Sequence, residues 1–367
     1  MFRLWVVVPL VLGPSVDFAQ SDEAATVERI TQLGGKATGR PVTEVDLSPA
    51  AGLADRDLEL LTGLPALETV YLNRARVGDD GVKYLAGLPK LRWVVLADTL
   101  VTDAGLKHLA GLRHLAHLDL TGTPVSAAGL KHLARLTRLT SLSLPRRAMT
   151  DEGLKYYVAA LRPTALSLKG WDITDTGLTH LAGQVQLTSL DLIGTSVTDD
   201  GVGHLAAVQN LDTLVLTGTK VTGKGLKPLA GLKHLRVLSL CGAPLGADGL
   251  RYVGDIPSLQ SLYLGSTRSL PAGGLAPLAK LPELKLLDLT GTNVRGADLE
   301  PLARIKTLGR LHLGETGIGD EAVEDLSAMK GLRELTVRGT KITPDRVAEL
   351  ERALPDTQIH GGRGKRK

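Results

Sequence analysis

Apolar residues recur along this chain at a long, nearly fixed interval. The unit L-x-x-L-x-L starts at Val42, Leu67, Leu91, Leu115, Leu139, Pro163, Leu187, Leu211, Leu235, Leu259, Leu284, Leu308 and Leu332. Successive starts lie 24 residues apart, except for single insertions in the first coil and near Leu270. The cleanest copy, LRWVVLADTLVTDAGLKHLAGLRH at 91–114, divides into three parts. Val94 and Leu96 alternate with Trp93 and Val95, the period of two of a strand with one buried face. Thr99 and Val101 form a bend. Thr102 and Asp103 are N-cap residues whose side-chain oxygens are expected to satisfy free N–H groups of the turn that follows. Leu106, Leu109 and Leu112 then face inward at helical spacing. One such unit cannot cover its own apolar face, so thirteen stacked coils are expected to share a core. A partial strand at Thr357–Ile359 ends the array.

Two further positions keep the same beat. A turn glycine recurs as Gly81, Gly105, Gly129, Gly153, Gly177, Gly201, Gly225 and Gly249. Without a Cβ it lets the turn approach its neighbour closely. A bend threonine recurs as Thr99, Thr123, Thr195, Thr219, Thr267, Thr292, Thr316 and Thr340. Its hydroxyl is expected to bond backbone groups of the adjacent coil.

These features resemble leucine-rich repeat proteins, specifically the 24-residue bacterial subclass L-x-L-x-G-T-x-V-T-D-x-G-L-x-x-L, related to GALA-type and cysteine-containing repeats. The resemblance covers residues 42–359. Residues 24–47 resemble the helix-and-hairpin cap of such proteins, and VAELERALPDTQI resembles their closing helix and strand. The resemblance implies an α/β solenoid, a ribonuclease-inhibitor-like horseshoe or arc. Its parallel β-sheet would lie on the concave face and its short helices on the convex face. It implies binding or scaffolding, no particular chemistry and no cofactor. The organisation read from the chain is a signal peptide at 1–19 and an N-terminal cap at 20–41. A repeat domain at 42–355 and a terminal strand with a basic tail at 356–367 follow.

Composition changes this picture in two places. Lys and Arg number 43 against 39 Asp and Glu, an excess of 43 − 39 = 4. Arg363, Lys365, Arg366 and Lys367 carry all of it, so the body is balanced and a nucleic-acid partner is not expected. The tail reads as solvated, with weak contact to an anionic surface as the other reading. Aromatic residues make up only 3%, leaving little to stack bases or sugars. At the N-terminus, Met-Phe-Arg precedes an apolar run from Leu4 to Leu12 and a small residue at Ala19. That is the layout of a secretory signal with cleavage after Ala19 or Ser15. It implies export to a periplasmic or extracellular space, and a cytoplasmic protein if the segment is not a working signal. No cysteine lies near Ala19 to carry a lipid anchor. Cys241, the only cysteine, excludes an internal disulfide.

Candidate chemistry is sparse. GTKVTGKGLK at 218–227 matches G-x-x-x-x-G-K of a phosphate-binding loop. It lacks the Ser or Thr that would follow the lysine, and it sits in register with GTSVTDDGVG at 194–203. It reads as a drifted repeat. His108 with His132, and His180 with His204, share a place in neighbouring coils that Tyr84, Tyr156, Pro228 and Tyr252 also fill. They read as a tolerant surface position and not as metal ligands. Cys241 has no fixed histidine partner, and no catalytic or metal constellation is expected.

The informative positions are the strand side chains free of core duty. The first coils place Asp46, Tyr71, Arg74, Trp93, His117 and Asp119 there, together with Glu44, Asn73 and Val95. Tyrosine and tryptophan beside charged groups are the usual anchors of a binding hot spot; a scattered surface is the bland alternative. The middle coils offer small residues such as Ser141, Ser143, Ala165 and Ser167, and the last coils Asp288, Arg310, His312, Glu334 and Arg338. A second irregularity joins Arg146, Arg147, Lys169 and Trp171, with Arg147 and Trp171 in the place of the bend threonine. It reads either as a basic–aromatic patch or as repeat decay with Trp171 filling space. The function expected is non-enzymatic binding of an unidentified protein through the concave face, by a monomer. An intracellular F-box-like adaptor of a ubiquitin ligase is the alternative, although residues 20–41 are too few for a separate helical module.

Overall fold

The computed structural model describes residues 18–246 and 248–361. The apolar run of the expected signal peptide and the basic tail Arg363–Lys367 lie outside the described residues. The chain divides into two compact units, the first ending at Pro145 and the second beginning at Arg146. The repeats expected over 42–355 are thus distributed over both.

The first unit opens with helix α1 (Phe18–Gln32) and a hairpin of β1 (Lys36–Gly39) and β2 (Val42–Asp46). The Glu23 carboxylate accepts from the Val42 N–H at 3.0 Å, tying the helix to the hairpin. Three-residue strands then follow at the repeat interval: β3 (Thr69–Tyr71), β4 (Trp93–Val95), β5 (His117–Asp119) and β6 (Ser141–Ser143). From β2 onward each pairs in parallel with the next. The register puts Val45, Val70, Val94, Leu118 and Leu142 in one inward row. All are buried. The return path of each coil is a short helix, α2 (Asp79–Leu85) and α3 (Asp103–Leu109), or a 3₁₀ turn such as Ala127–Arg135.

The second unit repeats the scheme in a nine-stranded sheet. Its strands are β7 (Ala165–Ser167), β8 (Ser189–Asp191), β9 (Thr213–Val215), β10 (Val237–Ser239), β11 (Ser261–Tyr263), β12 (Leu286–Asp288), β13 (Arg310–His312), β14 (Glu334–Thr336) and β15 (Gln358–His360). All pair in parallel with their neighbours. The helices are α4 (Asp151–Leu161), α5 (Asp175–Thr179), α6 (Asp199–His204), α7 (Gly249–Val253), α8 (Val323–Ala328) and α9 (Pro344–Ala353). One ladder of buried Leu, Ile and Val side chains runs from Leu154 to Leu354. Each unit is therefore an α/β leucine-rich repeat solenoid with an open parallel sheet on one face and short helices on the other.

The polar positions behave differently from the sequence expectation, and the difference explains how coils are joined. Thr102 does cap its own helix, accepting from the Ala104 N–H at 3.2 Å. The neighbouring aspartate does not: it serves the next coil. Asp79 Oδ1 accepts from the Thr102 N–H at 2.8 Å and the Gly105 N–H at 2.9 Å, while its Oδ2 accepts from the Thr102 hydroxyl at 2.6 Å. The same bridge joins Asp103 to Ser126, Asp151 to Thr174, Asp175 to Thr198, Asp199 to Thr222 and Asp320 to Thr343. This also gives the turn glycine its reason. A Cβ on Gly105 would lie 2.5 Å from Asp79 Oδ1 and 2.9 Å from a Val101 methyl, so only glycine leaves room for the carboxylate.

The bend threonine is corrected in the opposite sense. Its hydroxyl bonds within its own coil, to the carbonyl three residues back: Thr99 to Leu96 at 2.6 Å, Thr195 to Leu192 at 2.8 Å and Thr292 to Leu289 at 2.6 Å. The backbone doubles back at the bend, so that carbonyl is within reach before any neighbour is. Thr267 alone among the described bend threonines reaches the preceding coil, at Leu240 O.

Bridging carboxylates should therefore matter to stability where adjacent ones do not. Hydrogen bonds to a charged group are worth about 1.5–3 kcal/mol, and removing the acceptor strands half-buried donors. Asp79→Ala should cost about 2–3 kcal/mol in urea unfolding. Asp80→Ala, which removes only an exposed pair with Lys83, should stay within about 0.5 kcal/mol.

Candidate functional site

On the strand face of the first unit the register sets two outward rows. Glu44, Thr69, Trp93, His117 and Ser141 form one, and Asp46, Tyr71, Val95, Asp119 and Ser143 the other. The rings of Trp93 and His117 stack at a centroid distance of 4.0 Å and an interplanar angle of 27°. Parallel pairing brings this about, because residues 24 apart stand side by side on one face. Trp93 is 40% exposed, a large apolar side chain left outside the core. Tyr71 is half-buried in the adjoining row.

The acidic members have structural work as well. Asp46 Oδ1 accepts from the Ser48 N–H and Asp119 Oδ1 from the Thr121 N–H, each at 2.9 Å, closing the turn after the strand. Their second oxygens make no hydrogen bond within the described residues. Arg74 stands at the turn with φ 63° and faces Asp98 at 3.9 Å. Both side chains are exposed, so the pair adds little to stability. The structure thus brings Asp46, Tyr71, Trp93, His117 and Asp119 onto one face, with Arg74 at its edge.

The second group divides. Arg146, Arg147 and Lys169 are exposed. Arg147 does not take the buried place of a bend threonine, because a 3₁₀ turn at Arg146–Ala148 puts Ala148 into the core instead. Trp171 keeps the threonine's backbone bond to Leu168 O. Its ring, however, packs edge-on against Tyr157 at 5.3 Å, half-buried against the core. That contact belongs to the space-filling reading. The same apolar cover pushes the Tyr157 hydroxyl above its ordinary value, by burial.

The histidine positions differ among themselves. His108 and His204 are exposed, and His132 and His180 half-buried. Burial first, then Lys131 and Lys107, hold His132 below the ordinary imidazole value. Burial and then Lys155 do the same to His180. Among the described residues no group of three or more His, Cys, Asp or Glu is arranged to hold a metal. Cys241 is half-buried, with the Ser239 hydroxyl 3.5 Å from its sulfur. On the last strands Glu334 Oε1 lies 3.5 Å from His312 Nε2 and 3.8 Å from His360 Nε2. The place of His360 in this group was not legible, since only a partial strand was expected there.

The loop GTKVTGKGLK does surround an anion, and the anion is Asp199. Its carboxylate accepts from the N–H groups of Thr222 (3.2 Å), Gly223 (3.0 Å) and Gly225 (3.1 Å), and from the Thr222 hydroxyl. The backbone donors that resembled a phosphate cradle are occupied by the preceding coil. Burial pushes the Asp199 carboxyl up, but those four donors outweigh it and hold the group below the usual carboxylate range.

No family model and no curated protein matches the chain. Solved structures similar to it include an internalin from Listeria monocytogenes, 20% identical over 96% of this chain and 96% of that one, with a TM-score of 0.47. A leucine-rich repeat protein from Leptospira interrogans is 16% identical over 82% of this chain and 91% of that one, at 0.43. TLR13 in complex with ssRNA13 is 18% identical over 82% of this chain and 50% of that one, at 0.49. These identities are too low to carry any residue's role from one chain to another.

Two outcomes follow from the site geometry. Asp199 has a depressed folded-state pKa, so its contribution is complete above the unfolded value of about 3.9 and disappears as pH falls through the folded value. Urea midpoints at pH 7 and pH 3 should therefore converge in Asp199→Asn relative to the unsubstituted protein. Separately, Trp171→Ala should cost about 2 kcal/mol because it opens a gap against the core. Trp93→Ala should cost about 1 kcal/mol or less, the worth of one surface stack. Denaturant unfolding of the two variants distinguishes a space-filling tryptophan from one held out for contact.

Proposed function

We propose that the chain is a non-enzymatic binding protein that engages another protein through the strand face of its first unit, the concave face of the solenoid. The observation that carries this reading is Trp93, left 40% exposed and stacked on His117 beside Tyr71. A large aromatic held in one orientation has already lost its rotamer freedom, so docking against it costs less entropy. Aromatic anchors of this kind dominate binding energy, while surrounding polar groups set orientation. Asp46 and Asp119, each with one oxygen outside the turn hydrogen bonds, supply those polar groups.

The repeat is of the 24-residue bacterial type related to GALA-type and cysteine-containing repeats, and the protein acts as an exported monomer. Residues 1–19 direct export and are removed, 20–41 cap the array, 42–355 form the repeats, and 356–367 provide the last strand and a solvated basic tail. The layout of the first residues supports export; no helix among the described residues is long and apolar enough to cross a membrane. Arg146, Arg147 and Lys169 serve as a secondary basic contact beside a structural Trp171.

Affinity capture from envelope and culture fractions tests the reading. The unsubstituted chain should retain a protein that the Tyr71→Ala/Trp93→Ala double variant loses, with at least a tenfold weaker Kd for the purified partner. Equal retention by both baits would move the interface away from this face.

A further inference from the structure

A second surface of the first unit has a composition that the net charge conceals. Between Ala104 and Pro145 the chain carries Lys107, Arg113, Lys131, Arg135 and Arg138 against a single carboxylate, Asp119. Asp119 points from the strand face, with one oxygen engaged by the Thr121 N–H. Arg113 lies instead on the loop that leads from α3 back to the strand, and Arg135 ends the 3₁₀ turn of the next coil. There, a solvent-open depression of about 440 Å³ is lined by Ala110, Gly111, Arg113, Arg135 and Thr137, all but Ala110 exposed.

The repeat explains this convergence. Gly111 and Arg135 occupy one place in consecutive coils, and Arg113 and Thr137 another, each pair 24 residues apart. Stacking therefore brings Arg113, Arg135 and Thr137 to the border of one space. Some surface arginines meet a carboxylate of the adjoining coil, as Arg92 meets Glu68 and Arg236 meets Asp212, and others such as Arg56 and Arg76 stand unpaired among the described residues. Among the described residues, neither Arg113 nor Arg135 makes an ion pair. Arg138, next to Thr137, also has no carboxylate partner and donates to His114 Nδ1 at 3.0 Å. Among the described residues, no carboxylate pairs with either arginine of this lining.

We propose that this depression binds the phosphate or sulfate ester of a small polyhydroxy compound, with Arg113 and Arg135 holding the ester oxygens. The planar fork of arginine matches a tetrahedral oxyanion with two parallel hydrogen bonds, which an ammonium group cannot do. The volume falls within the range of small-molecule sites, larger than a lone inorganic anion needs. Ala110 is the only apolar side chain of the lining and no aromatic ring is present, so the remainder of the ligand is a sugar-like body and not a nucleobase. The Thr137 hydroxyl supplies a further hydrogen bond to it.

Titration calorimetry with glucose 6-phosphate, N-acetylglucosamine 6-sulfate and unmodified glucose tests the proposal and separates the two ester sources. At least one ester should bind and glucose should not. Arg113→Gln and Arg135→Gln should each weaken that binding tenfold or more, with unchanged thermal unfolding. Arg56→Gln, an exposed arginine of the same unit away from the depression, should leave it unaltered. The proposal is overturned if neither ester binds at millimolar concentration, or if Arg56→Gln weakens binding as much as the Arg113 and Arg135 variants do.

Discussion

A carboxylate placed on the first turn of one coil and read by the backbone of the next is the interaction on which the helical side of this structure depends. On the strand side, parallel backbone pairing joins coils without help from side chains. On the other side, the turns are too short to pair, and their first N–H groups point outward without partners. Asp79, Asp103, Asp151, Asp175 and Asp320 each accept from the amide of the following coil at 2.7–2.9 Å. Where Gly223 replaces the aspartate, the Thr222 carbonyl takes the Gly246 N–H at 2.9 Å instead. Asp298 reaches the other way, accepting from Gly273 of the preceding coil at 2.7 Å. The amides are satisfied in each case, by whatever acceptor the local residues provide.

That constraint reaches into both functional questions. It fills the nucleotide-like loop with Asp199, which takes the N–H groups of Thr222, Gly223 and Gly225 that a phosphate would need. On the helical side it joins the coils that carry Trp93 and His117, through Asp103 and Ser126, alongside the parallel strand pairing that sets the Trp93–His117 row. The binding surfaces are consequences of stacking: residues 24 apart become neighbours whether or not they resemble each other.

Much of the architecture was legible because the period is long and regular. The inward rows, the turn glycine and the closing strand all followed from residues at fixed offsets. The direction of the polar contacts was not legible. Thr102 and Asp103 are adjacent in sequence, and both suit the cap of their own helix; only the stacked neighbour shows that one caps locally and the other serves the next coil. The bend threonine failed in the reverse way, since the nearer carbonyl is its own. Arg147 misled because a 3₁₀ turn shifted the buried place by one residue, to Ala148. The arginine-lined depression was missed because charge was summed over the whole chain, where carboxylates elsewhere balance it. A window over 104–145 would have shown it.

Amide hydrogen exchange of the native protein tests the coil-to-coil carboxylate most directly. Thr102 and Thr198 stand half-buried just before the first turn of their helices, and each N–H is donated to an aspartate of the preceding coil. The account predicts protection comparable to that of strand amides such as Leu118, released only by opening of the coils. Exchange as fast as at the unbridged Gly111 would contradict it.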